Sequence, residues 1–229
     1  MTSARPPTTL TAPQMRDRLA ADRVMAIARG DHPSAIVSAV EVLVQAGMSL
    51  VEISLTGDDA LAAIRECAAR FGTSISLGAG TVLTAIDAVR AVDAGASYLV
   101  TPALGAGVDA GLDAGVAVLA GVQTPSEVLH AWQHGAAAAK LFPASLGGVE
   151  YLRALRAPFP NVAFVPVGGV GLPETRAYLA AGAFAVGVGT PLFQDALTQR
   201  DLSASSASAL RARAAEFLSA AKLGADRED

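Results

Sequence analysis

Residues 97–120 read SYLVTPALGAGVDAGLDAGVAVLA, and the order of residue types in this stretch decides the fold. A short apolar run, Ser97–Val100, leads into a loop of small residues and a helical stretch. Gly115 follows, and then a second apolar run, Val116–Ala120. Gly suits that place because the residue after a helix often needs positive φ. Outward from here the same unit recurs, with apolar runs at Val24–Ala28, Leu50–Ser54, Ser74–Gly78, Ala137–Leu141, Ala163–Val167 and Ala185–Val188. Strands that alternate with helices pair in parallel through crossovers. Runs apolar on both faces suit strands covered on both sides. Eight such units in 229 residues favour closure into a (β/α)8 TIM barrel, an α/β fold of about 250 residues. An open dinucleotide-binding sheet needs G-x-G-x-x-G directly after a strand, and neither Gly78-Ala79-Gly80 nor Gly105-Ala106-Gly107 has its third Gly at the right offset.

The rest of the chain divides around that barrel. Residues 1–10, rich in Thr and Pro, read as a disordered tail. Thr11 caps a short amphipathic helix to about Ala21, expected as a lid across the barrel bottom. One domain spans residues 11–223, its last helix at about Ser203–Lys222, and 224–229 form a polar tail. Hydrophobic residues at 52% and charged residues at 17% suit a large core and argue against disorder. No apolar run approaches the roughly 18 residues of a membrane span, and the N-terminus lacks the apolar segment of a secretion signal. The single cysteine, Cys67, gives no disulfide framework and fits a reducing cytoplasm. A net charge of −4 speaks against nucleic acid as a partner.

Function in this fold sits at the C-terminal ends of the strands. Of the 17 basic residues only Lys140 and Lys222 are lysines, so a Lys inside the apolar sixth run, AAAAKLFP, asks for a reason. Burial penalises an ammonium and favours the neutral amine, the form that attacks a carbonyl; the competing reading is a side chain that snorkels out between helices. Glu52, in LVEIS, is the only acid inside any of the eight runs. A lone buried carboxylate is costly unless paired or used. Strands two and six are both even-numbered, so their inward side chains share layers, which predicts that Glu52 and Lys140 approach each other. Amine chemistry on a carbonyl needs such a group to give and take protons; a plain structural ion pair is the alternative. Gly168-Gly169 after strand seven and Gly189-Thr190 after strand eight fall where these barrels usually hold phosphate. Arg29, Thr81 and Thr101-Pro102 add polar groups to the same mouth. His130 and His134 have an i, i+4 spacing but lack a zincin Glu and precede Gly135 at the barrel bottom, so no metal site is expected. Cys67 lies on a helix with no chemical partner near it in sequence.

VEISL, GAGTVL, VTPAL, GVQTPSEV, KLFPAS, FVPVGGV and AVGVGTPLF, in order from about Val24 to Phe193, together resemble the KDPG/KHG aldolase family. The resemblance implies a homotrimeric, metal-free and cofactor-free class I aldolase that cleaves a 2-keto-3-deoxy-6-phospho sugar acid to pyruvate and glyceraldehyde 3-phosphate. It also allows 4-hydroxy-2-oxoglutarate as substrate. A barrel that only binds sugar phosphates is a rival, but it needs neither Lys140 nor Glu52. Carried over by motif, Lys140 forms the Schiff base and Glu52 is the acid/base. Thr81, Pro102 and Phe142 line the pyruvate pocket, and Gly168, Gly169, Gly189 and Thr190 hold the phosphate. Three departures stand out. Thr56 replaces an Arg common in the family, which leaves carboxylate binding to Arg29 and Thr81. Ala120-Gly121 replaces a Pro-Gly. Val167 precedes the glycine pair, as in galactonate-type members, where gluconate-type members often have Thr.

Overall fold

The computed structural model describes residues 9–225. Eight strands, β1 (Val24–Ala28), β2 (Leu50–Ser54), β3 (Ser76–Gly80), β4 (Tyr98–Val100), β5 (Ala117–Val122), β6 (Ala138–Leu141), β7 (Phe164–Pro166) and β8 (Val186–Val188), form one parallel sheet. Its order is β7-β6-β5-β4-β3-β2-β1-β8. A parallel bridge between Val167 and Gly187 closes the cycle, so the expected (β/α)8 barrel is the fold. The helices are α1 (Ala12–Asp22), α2 (Pro33–Gln45), α3 (Ala60–Phe71), α4 (Ala85–Ala94), α5 (Ala106–Asp113), α6 (Pro125–Gln133), α7 (Gly148–Arg156), α8 (Leu172–Ala180), α9 (Thr190–Phe193) and α10 (Ala204–Ala225).

Local chemistry starts and stops these elements. Thr84 and Thr124 cap α4 and α6 in boxes with Asp87 and Glu127, whose carboxylates accept from the cap N–H groups at 2.9 and 2.7 Å. Gly95 ends α4 in the left-handed region, φ 113°. The third strand departs from expectation: Gly72–Ser74 form a 3-10 turn and β3 begins two residues later than the apolar run suggested. β5 likewise runs on to Val122. Apolarity marks a strand's presence but not its ends, which the hydrogen-bonded neighbours decide.

Two packed layers follow from alternation along each strand. Val51, Ile53, Ala139 and Leu141 belong to the core between barrel and helices, while Leu50, Tyr98, Leu119, Ala138 and Val165 belong to the barrel interior. Met15 and Leu19 of α1 are fully buried in that interior cluster, so α1 plugs the barrel bottom as expected. Leu10 binds there too: its N–H donates to the Ser97 carbonyl and its carbonyl accepts from Ala117 N–H, both at 2.8 Å. The terminal tails otherwise fall on residues 1–8 and 226–229, outside the described residues, and α10 runs past the expected Lys222 to Ala225. Among the described residues no helix is long and apolar enough to cross a membrane.

Candidate active site

Period-two alternation turns Leu50, Glu52 and Ser54 of β2 inward, as it does Ala138 and Lys140 of β6. Glu52 is 1% and Lys140 5% exposed. They are the only acid and the only base in the eight strands. A deep inward carboxylate needs room, and the neighbouring strand supplies it. In the β2–β3 register Glu52 stands beside Gly78 and Ser54 beside Gly80. A Cβ on Gly80 would lie 1.7 Å from Glu52 Oε1. Below, a Cβ on Gly78 would lie 2.3 Å from the Tyr98 ring, whose hydroxyl donates to the Val51 carbonyl at 2.9 Å. Tyr98 thus floors the chamber in which Glu52 sits.

Burial pushes the Glu52 carboxyl above the usual carboxylate range, and the charges of Lys140 and Arg29 pull it back only in part. The expected approach of Glu52 and Lys140 is therefore present as an electrostatic coupling, without an ion pair at bonding distance between the two. Glu52 Oε2 is buried without a hydrogen-bond partner. A protonated carboxyl beside a primary amine can donate a proton to an oxygen leaving a carbonyl carbon and take one back from carbon. Lys140 Nζ lies 5.2 Å from the centroid of the Phe142 ring. Across β5, Lys140 pairs with Gly121, whose N–H donates to Thr101 Oγ1 at 3.1 Å. A Cβ on Gly121 would meet the Pro102 carbonyl carbon at 2.2 Å, so Gly121 lets the Pro102 turn press close to the Lys140 strand.

A cleft of about 470 Å³ opens at the same end of the barrel. Arg29, Phe142, Val167, Gly168, Gly169, Gly189 and Thr190 all line it. Lys140, Glu52, Thr81 and Pro102 are not on its wall; Lys140 connects to it through Phe142, and Glu52 through Arg29. Gly168 and Gly169 take φ of 95° and 75°, a region that favours Gly. A second cavity, of about 370 Å³, lies outside the barrel beside α3 and α4 and holds none of the expected residues.

Other features were not singled out from sequence. Ser54 Oγ lies 2.9 Å from Thr56 Oγ1 and 3.0 Å from Thr81 Oγ1. Ile27, Val170, Gly187, Pro191, Phe193 and Gln194 complete the cleft wall. Ser54 was findable by alternation, two residues on from Glu52 in LVEIS; the cleft residues beyond Thr190 carried no signal apart from the fold. His130 and His134 are exposed, with ring centroids 3.9 Å apart, and no cluster of three metal-ligating side chains exists among the described residues. Burial pushes the Cys67 thiol up to about 12, which removes the nucleophilic thiolate.

Comparison with known proteins agrees with this geometry. The family model for KDPG and KHG aldolase matches residues 15–207. The chain is 36% identical over 163 residues to a 2-dehydro-3-deoxy-phosphogluconate aldolase of Pseudomonas aeruginosa, covering 69% of this chain and 72% of the relative. It is 32% identical over 181 residues to a probable 2-dehydro-3-deoxy-6-phosphogalactonate aldolase of Rhizobium meliloti, covering 78% and 85%. A solved structure of native KDPGal superposes with a TM-score of 0.80 at 28% identity, over 88% of this chain and 95% of the other.

Proposed function

The chain belongs to the KDPG and KHG aldolase family, and from that premise we propose that it is a class I aldolase, a lyase that splits a 2-keto-3-deoxy-6-phospho sugar acid into pyruvate and glyceraldehyde 3-phosphate. The observation that carries the mechanism is the burial of one amine and one carboxyl, Lys140 and Glu52, as the only charged residues of the eight strands. The Lys140 Nζ lone pair adds to the C2 carbonyl of the keto acid and gives a carbinolamine. Glu52, whose carboxyl burial pushes toward the protonated form, protonates the departing hydroxyl, and water leaves as the iminium forms. Glu52, now a carboxylate, takes the C4 hydroxyl proton; the oxygen lone pair forms a carbonyl, the C3–C4 bond breaks, and its electrons pass into the iminium. The resulting enamine takes a proton at C3 from Glu52, and water hydrolyses the product imine to pyruvate and the free amine. The iminium is the electron sink, so no metal is asked for.

The remaining assignments rest on placement. Arg29 and Thr81 hold the carboxylate, Phe142 and Pro102 bound the pyruvate moiety, and Val167 faces the carbinol end. The left-handed Gly168-Gly169 turn, with Gly189 and Thr190 on the same cleft, receives the phosphate; this favours a phosphorylated substrate over 4-hydroxy-2-oxoglutarate. The lone, buried Cys67 suits a reducing cytoplasm. Homotrimer formation is supported by Leu83, Ile86 and Val89, on and just before α4, which leave an apolar stripe 58%, 63% and 58% exposed.

Borohydride trapping tests the mechanism. Pyruvate plus borohydride is expected to add one reduced adduct per chain, mapped to Lys140 by peptide mass. An adduct on Lys222, or none during turnover, removes the Schiff base.

A further inference from the structure

We propose that Ser54 is a positioning residue for the keto-acid carboxylate and acts through Thr81; this rests on the aldolase reading above. Ser54 is the last residue of β2, turned inward and 1% exposed. Its Oγ lies between two other hydroxyls, 2.9 Å from Thr56 Oγ1 and 3.0 Å from Thr81 Oγ1. Thr81 follows directly on Gly80, the residue packed against the Glu52 carboxyl. Thr81 also sits at φ 59°, where a β-branched residue is an outlier, so the surrounding structure imposes its placement.

Counting protons shows what the chain of hydroxyls does. Three hydroxyls carry three protons. Ser54 has no other hydrogen-bond partner among the described residues, so its own proton goes to one neighbour and it accepts from the other. Two protons are thereby used, and one is left at an end of the chain. The direction is reversible: Thr56 to Ser54 to Thr81, or the opposite. A carboxylate accepts and never donates. Bound at the Thr81 end, it selects the first direction, and all three hydroxyls then point their protons toward it. Ser54 thus turns a strained Thr into a committed donor, and Thr56, where the family often has Arg, serves as the chain's far terminus. Such a relay recognises an acceptor by polarity rather than by charge.

Steady-state kinetics on the phosphorylated keto acid, with borohydride trapping, tests this. The carboxylate contact is made alike in ground and transition states, so its loss raises KM and leaves kcat little changed. Ser54→Ala is expected to raise KM about tenfold, the value of one hydrogen bond of about 1.4 kcal/mol, with kcat within about twofold. The preference for trapping pyruvate over butanone, whose ethyl group stands where the carboxylate was, is expected to fall by the same factor. Ser54→Thr, which keeps a hydroxyl, restores both values. Should Ser54→Ala fail to fold, Thr56→Val at an exposed position decides by the same two measurements. A fall in kcat with unchanged KM, or an unchanged pyruvate preference, overturns the proposal and leaves the aldolase reading intact. Absence of any wild-type adduct on Lys140 overturns that reading and the proposal together.

Discussion

Replacing Gly80 by Ala tests whether the seat of Glu52 matters to the chemistry. Gly80 is not in the left-handed region, so its backbone accepts an Ala without strain. The added Cβ would lie 1.7 Å from Glu52 Oε1 and 2.4 Å from Cδ, whereas ordinary contact begins at 3.4 Å. The carboxyl must therefore retreat by 3.4 − 1.7, about 1.7 Å. The obstacle reaches back to Glu52 Cγ at 2.7 Å, so the whole side chain must turn aside; overpacking of this kind costs about 1–3 kcal/mol. The fold survives, and the acid/base group is misplaced. Since about 1 Å of misplacement costs roughly 10²-fold, kcat for cleavage is expected to fall at least about 10²-fold. The limit is the 10²–10⁴-fold value typical of a whole general acid/base. A coupled pyruvate assay gives kcat, and circular dichroism confirms the fold. Gly121→Ala is the contrasting variant. Its Cβ would meet the Pro102 backbone at 2.2 Å, which cannot swing away, so that protein is expected to lose stability instead. Adding Gly80→Ala to Glu52→Gln should cost little more than either alone, because both act on one group. A folded Gly80→Ala enzyme with kcat within about threefold of the parent refutes the reasoning.

Two further perturbations follow from the same site. Glu52 has a raised carboxyl pKa in the folded state, so between its unfolded and folded values the folded protein holds the extra proton. Stability from this group is full below the unfolded value and is lost as pH rises through the folded one; Gln at 52 never ionises. Glu52→Gln should therefore gain in Tm relative to the parent as pH is raised from about 4.5 to 8, while pyruvate C–H exchange slows about 10²–10⁴-fold. A Tm difference that is flat with pH, or near-normal exchange, contradicts it. Val167, 6% exposed on the cleft wall, offers only methyl groups where a Thr offers a hydroxyl. We expect the 6-phosphogalactonate substrate to be accepted at least as well as its gluconate epimer, and Val167→Thr to move the kcat/KM ratio about tenfold toward the gluconate form. An unchanged ratio leaves Val167 a packing residue against Gly187.

The barrel, its lid helix and the pair Lys140 and Glu52 were legible in the sequence because they depend on local pattern. Eight apolar runs separated by helix-ending glycines allow few architectures, and a charged residue inside such a run stands out whatever surrounds it. The galactonate-like Val167 and the unusual Thr56 were visible for the same reason. Strand ends were not: β3 starts at Ser76 because its backbone bonds into the β2 register, a contact between segments far apart in the chain. The same holds for the reason Gly80 is Gly, which lies in the carboxyl of Glu52 and not in any turn. The Ser54 hydroxyl of LVEIS meets Thr81 of GAGTVL only when β2 and β3 align. The elevated proton affinity of Glu52 likewise comes from the depth of its burial, set against Lys140 and Arg29 from other parts of the chain. Local pattern chose the strands and the two charged residues inside them; their spacing, pairing and the proton affinity of Glu52 were decided by packing across the barrel, where the neighbours that matter are distant in sequence.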